Sequence, residues 1–167
     1  PADFDGMSIR VLPSDVQART FELLGATPKR MDLTEAIEGI VDGSLDAQEN
    51  PFANTVTYGA HKYHRYHTAS NHFYISRSIM CHRDSYSSWP EEIQIALQES
   101  VRDTITWQRG QAEQEAVVSR QAIEDEGCEI VELTPEEHAE FVQAVKPQHD
   151  DAREVFGDKM FELMKQT

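Results

Sequence analysis

Apolar and polar positions alternate along residues 7–12, with Met7, Ile9 and Val11 on one side and Ser8, Arg10 and Leu12 on the other, a period of two that predicts a strand. Pro13 ends it. Ser14 or Asp15 is then placed to cap a helix whose Val16, Thr20, Phe21, Leu23 and Leu24 recur at helical spacing and which Gly25 terminates. A second strand is expected over residues 27–31, with Pro28 tolerated at its beginning. Asp32 and Glu35, spaced as a capping box, open a further helix that turns Leu33, Ala36, Ile37, Ile40 and Val41 inward and stops at Gly43. Residues 45–48 supply a third strand. Connections this short between alternating strands and helices predict a parallel βαβαβ unit and an α/β fold class.

Beyond this unit the pattern changes. Residues 54–67 are polar, aromatic and rich in histidine, with room for a short helix. Residues 71–81, carrying Phe73, Tyr74, Ile75, Ile79 and Met80, read as a strand longer than a small lobe needs. Ser88 and Glu91 have capping-box spacing around Pro90. From there helical periodicity runs through Ile93, Ala96, Leu97, Val101, Ile105, Ala112, Val117 and Ile123, with Gly110 as the expected break. Residues 127–133 form a last predicted strand, Thr134 caps another helix, and Pro147 separates that helix from a terminal one built on Val155, Phe156, Met160, Phe161 and Met164. There is no internal repeat and no low-complexity linker.

A length of 167 residues is enough for one domain with a real core. Thirty Asp plus Glu against 15 Lys plus Arg give a net charge of −15, which argues against gripping a nucleic-acid backbone or an anionic lipid surface. A small anion is still admissible, because a few local donors outweigh a distant, screened field. No run of about 18 apolar residues is present to span a bilayer. The chain opens at Pro1 without a signal-peptide pattern, which suits a processed chain or a piece of a longer one. Cys81 and Cys128 have no metal-ligand spacing, and two cysteines leave both the free and the bridged state open.

In open parallel sheets ligands gather outside the carboxyl ends of the strands. Arg10 stands at the end of the first predicted strand and Asn50 just past the third. A guanidinium offers a carboxylate two parallel hydrogen bonds, and a carboxamide brings one donor and one acceptor to complete the coordination. The plainer readings are a strand arginine paired with one of the many acids and a turn asparagine before Pro51. His61, His64 and His67 would fan over a helix face too widely for all three to hold one metal, which leaves a solvated face as the simpler reading. Nothing resembles a nucleophile elbow, a phosphate loop, a zinc-protease helix or a catalytic triad, and no cofactor is implied.

The segments GMSIRV, LGATPKRMDLTEAIEGIVDGSLDAQENP, SNHFYIS and SWPEEIQIALQES, in this order and at these separations, resemble the carboxy-terminal half of an extracytoplasmic solute receptor of the TRAP transporter family. The family pattern is close to K-x-R-V, then G-A-x-P, F-x-E-V and V-D-G-Q-E-N-P, and the resemblance covers nearly the whole chain. It implies a non-enzymatic, DctP-type periplasmic binding protein of two lobes that closes on a small organic acid and delivers it to the membrane permease subunits. The family's carboxylate-binding arginine falls on Arg10 and its asparagine on Asn50. Asn54 and Phe73 become ligand-lining candidates, and Leu33 takes the place of an aromatic wall. Ala47 replaces a glycine of the pattern.

The division implied is a ligand-binding second lobe from residues 1–75 and 116–146, a hinge-crossing strand and long bridging helix over 76–115 that belong with a first lobe not contained in this chain, and a C-terminal helix over 147–167. Apolar surface left without its partner lobe implies dimerisation or strand exchange. Two other readings of the residues stand beside this one. One is an α/β enzyme domain acting on an organic acid, with Arg10 as substrate anchor and His72 as acid or base. The other is a metal module built on the histidines.

Overall fold

The computed structural model describes residues 1–74 and 77–164. Its first part is the expected parallel unit. Strands β1 (Ser8–Val11), β2 (Thr27–Arg30) and β3 (Ala47–Gln48) lie in the order β2-β1-β3, joined by helices α1 (Asp15–Leu23) and α2 (Leu33–Asp42). The central strand pairs Arg10 with Lys29 on one side and with Gln48 on the other. β3 is only two residues long. Its entry is pinned by Asp46, whose carboxylate accepts from the backbone N–H and the hydroxyl of Ser8 at 2.8 and 2.7 Å. Those two bonds hold the Asp46 carboxyl below the usual carboxylate range.

Alternation along β1 decides what is buried where. Ile9 and Val11 enter a core with Ala18, Phe21, Leu24 and Ala26, against which Phe4, Ala47, Phe73 and Phe141 also pack. A buried Phe or Val is worth about 1.5–3 kcal/mol, so this face fixes the register of the sheet. A second cluster, Leu33, Ala36, Ile40 and Leu45 with Met31 against it, seats α2. Ser14 caps α1 by accepting from the Gln17 N–H. Asp32 precedes α2 in extended conformation but its side chain makes no capping bond, so the capping box expected with Glu35 is not formed.

Downstream the sequence expectation needs correction. α3 (Phe52–Thr57) and a 3-10 turn (Ala60–Lys62) precede β4, which is Tyr66–Ala69. β4 pairs in parallel with β5 (Glu129–Glu132), so the strand lies before residue 71 and not over 71–81. Residues 71–74 and 77–81 form no strand, and Ile75 and Ser76 lie outside the described residues. The physical reason is pairing. An extended segment needs neighbours for its N–H and C=O groups, and here Tyr74 and Met80 are 94% and 86% exposed with no strand alongside.

After α4 (Arg83–Ser88), helix α5 runs from Glu91 to Asp125 as one 35-residue piece. Gly110 does not break it, because nothing crowds that position and its neighbours favour helix. The capping box expected at Ser88 is also absent. Ser88 ends α4, its hydroxyl donates to the Ser85 carbonyl, and Pro90 occupies the cap of α5. Only Ser119 and Ile123 of α5 are buried, where its last turns meet α3 and β5. Thr134 and Glu137 form the expected capping box of α6 (Pro135–Ala144). The terminal helix is two, α7 (Lys146–Phe156) and α8 (Asp158–Met164), parted at Gly157, whose positive φ of 77° suits glycine.

Candidate functional site

Arg10 sits on the central strand with its neighbours Ile9 and Val11 committed to the core, so its side chain leaves the opposite way and is still only 1% exposed. Its Nε donates to the carbonyl of Met31, just past β2, at 2.9 Å. Its Nη1 is buried and has no hydrogen-bond partner. Desolvation therefore lowers the pKa of this guanidinium, opposed by the negative charges of Glu49 and Asp32 and by Tyr58. A buried cation with an unmet donor is costly in a fold that gains nothing from it. Placed at the carboxyl end of a parallel sheet, it is a donor poised for an anion.

The segment after β3 wraps this group. The Glu49 N–H donates to the Arg10 carbonyl at 3.4 Å, continuing the ladder one step beyond the assigned strand. The Glu49 carboxylate is 9% exposed and lies 3.5 Å from His72 Nε2. His72 in turn packs on Phe73 and Phe21, with ring centroids 4.5 and 5.4 Å away. Asn50 donates through Nδ2 to the Gln48 side-chain carbonyl, and Gln48 donates to the hydroxyl of Thr55 in α3 at 3.3 Å. The result is a polar chain from β3 into α3 beside a buried cation.

Of the residues singled out from the sequence, Arg10 and Asn50 come to the ends of adjacent strands, Arg10 buried and Asn50 half-buried. Asn54 lies half-buried in α3, and its carbonyl accepts from the Tyr58 N–H. Phe73 packs on the core beside His72. Leu33 is in the second hydrophobic cluster, facing Ala36, Ile40 and Leu45. Glu49 is a residue of this site that sequence reasoning did not single out. The signal available was a carboxylate set directly between two amides at a strand end.

His61, His64 and His67 do not converge. Among the described residues no group of three or more His, Cys, Asp or Glu side chains is arranged to hold a metal ion. His61 Nδ1 lies 3.4 Å from the Thr55 carbonyl, and His67 Nε2 donates to the His64 carbonyl at 3.1 Å. Cys128 donates through Sγ to the carbonyls of His61 and His64. Burial, aided by the charge of Glu126, raises its pKa, and both cysteines are free thiols.

Residues 1–155 match the family model DctP, bacterial extracellular solute-binding protein, family 7. A C4-dicarboxylate-binding periplasmic protein, DctP, of Rhodobacter capsulatus is 28% identical over 166 residues, covering 99% of this chain and 50% of that protein. A TRAP periplasmic solute-binding protein from Pseudomonas aeruginosa PAO1, solved with bound L-malate, superimposes with a TM-score of 0.82 at 26% identity, covering 90% of this chain and 53% of that one. One from Roseobacter denitrificans, solved with β-D-glucuronate, shares the fold with a TM-score of 0.86 at 24% identity over 93% and 51% of the two chains. The chain spans about half the length of the curated relatives it matches.

Proposed function

The chain belongs to the bacterial extracellular solute-binding proteins of family 7, the DctP type, and on that premise we propose that it forms part of a periplasmic receptor that binds a small organic acid for a TRAP-type membrane permease. The family is one of binding proteins, not enzymes, so Arg10 anchors a ligand and no turnover follows. Two relatives bind dicarboxylates, the Rhodobacter capsulatus protein a C4-dicarboxylate and the Pseudomonas aeruginosa protein L-malate, and a carboxylate is the group a guanidinium fork fits best.

The observation that carries the reading is the buried Nη1 of Arg10 without a partner. A ligand carboxylate supplies the missing acceptor and a countercharge. Asn50 contributes the second contact by turning its carboxamide from Gln48 to the ligand. Asn54 lines the approach, Leu33 stands behind it as an apolar wall in place of an aromatic one, and Phe73 backs the site from the core side through His72 and Glu49.

The same reading divides the chain. Residues 1–75 and 116–146 form the lobe that carries the site, 76–115 cross to a first lobe supplied by sequence outside this chain, and 147–167 close the C-terminus. The exposure of most of α5, in which only Ser119 and Ile123 are buried, supports that division. The test is isothermal titration calorimetry of a full-length receptor against a panel of organic acids, wild type beside Arg10→Ala. Loss of one charge-assisted bidentate contact is expected to cost about 2–5 kcal/mol, more than tenfold in Kd. An unchanged Kd would sink the assignment.

A further inference from the structure

One segment stands apart from the acidic character of the chain. From Asn50 to Arg83 there is no Asp or Glu, while Lys62, Arg65, Arg77 and Arg83 and the histidines at 61, 64, 67, 72 and 82 fall inside it, in a protein of net charge −15. The structure gathers part of it around one cleft of about 310 Å³, formed between the 3-10 turn and the entry to β5 and lined by Lys62, Tyr63, His64, Arg65, Glu126 and Cys128 among others. This cleft is built from residues immediately before β4 and β5. Arg10, Glu49 and Asn50 do not line it.

Three observations give the cleft a chemistry. Lys62 and Arg65 are exposed, and among the described residues neither forms an ion pair, although Glu126 lines the same cleft; Arg19, Arg30, Arg120, Lys146 and Arg153 all have carboxylate partners. The Nε2 of His64 is buried without a hydrogen-bond partner. Tyr63 in the lining and Tyr66, next in the chain to Arg65, are each at least half exposed, and the Arg65 guanidinium lies over the Tyr66 ring, 5.5 Å from its centroid. Exposed Tyr and Arg side by side, with a rigid stacked cation, are the composition of protein–protein contact surfaces.

We propose that this Tyr/Arg/Lys-rimmed cleft is a docking site for an acidic segment of a partner protein, one or more Asp or Glu side chains entering beside Lys62, His64 and Arg65. A peptide segment is favoured over an anionic lipid surface by the charge of the rest of the molecule. Screening confines attraction to about 8 Å, and a plane broad enough to touch the cleft would also face the surrounding carboxylates, whereas a narrow acidic loop meets Lys62 and Arg65 with Glu126 as the one carboxylate in the lining.

The test is NMR on a ¹⁵N-labelled full-length receptor containing this chain, titrated with a capped hexaglutamate peptide, with capped hexaglutamine and phosphatidylglycerol vesicles as alternatives. Shifts should centre on residues 61–66 and 126–128 with hexaglutamate alone. The double variant Lys62→Glu/Arg65→Glu should weaken binding by at least roughly tenfold, while the charge-matched Arg102→Glu/Arg109→Glu on exposed α5 leaves it unchanged. Lys62→Gln/Arg65→Gln, with unfolding temperature measured for every variant, separates loss of the site from loss of the fold. Equal weakening by the α5 variant, equal binding of hexaglutamine, stronger engagement of vesicles by the same residues, or no shifts at all would each overturn the proposal.

Discussion

Burial disfavours the charged form of several single side chains in this molecule. At Arg10 it strips water from a cation and leaves a donor unmet, a local instability that the proposed ligand carboxylate would relieve. At His64 and His67 it disfavours the charged form, lowering both pKa values below the ordinary 6.5. For His67 the bond to the His64 carbonyl works against the shift, and the charges of His64 and His61 reinforce it. The unfolded chain therefore binds protons more readily at these positions than the folded one. Their contribution to stability is fully present above pH 6.5 and is lost as pH falls through the lowered folded values. Urea denaturation is expected to show a falling midpoint between about pH 7 and about pH 5.5, with a flatter fall in His64→Gln/His67→Gln. Identical slopes would show that these two imidazoles do not carry the effect.

At the level of elements, two glycines in helices give contrasting expectations. A Cβ on Gly39 of α2 would stand 2.8 Å from Leu45 Cδ1 and 3.0 Å from its Cγ, and Leu45 is buried at the turn into β3. Gly39→Ala should destabilise by about 1–3 kcal/mol through overpacking. Gly110 of α5 faces open space, so Gly110→Ala should stabilise by about 0.5–1 kcal/mol. Thermal melts of the two variants in opposite directions would bear this out; a gain at Gly39 would mean that Leu45 is free to move.

The same elements show what could be read in advance. The βαβαβ unit was legible because Ile9 and Val11 alternate with Arg10, and because Phe21, Ala36 and Ile40 recur with the turn of a helix. β4 was not, since Tyr66–Ala69 carries no apolar stripe and owes its extension to β5, a partner some sixty positions away that no local window contains. Residues 71–81 misled for the converse reason, apolar content without a neighbouring strand. Arg10 was visible as a candidate from its place in the pattern. Its proximity in space to Glu49, and the pairing of Glu49 with His72, depend on a loop closure that sequence spacing does not express.

Across the whole molecule, apolar side chains stand in water on a scale that a finished domain avoids. Ile79 and Trp107 are each 66% exposed, and Ile93 and Ile95 are 49% exposed. We expect the chain by itself to associate through these surfaces, giving concentration-dependent dimers or exchanged strands in size-exclusion chromatography with light scattering. A compact monomer at every concentration would count against that, and against the assignment of 76–115 to a missing lobe. The shape of α5 carries one more consequence. Seated only around Ser119 and Ile123, with some 32 residues reaching back to Glu91, it is a lever about 48 Å long. A tilt of about 10° at the seat would be a shift of about 1 Å there and roughly 8 Å at the far tip, so α5 has the geometry of a lever whose short arm lies beside α3 and β5.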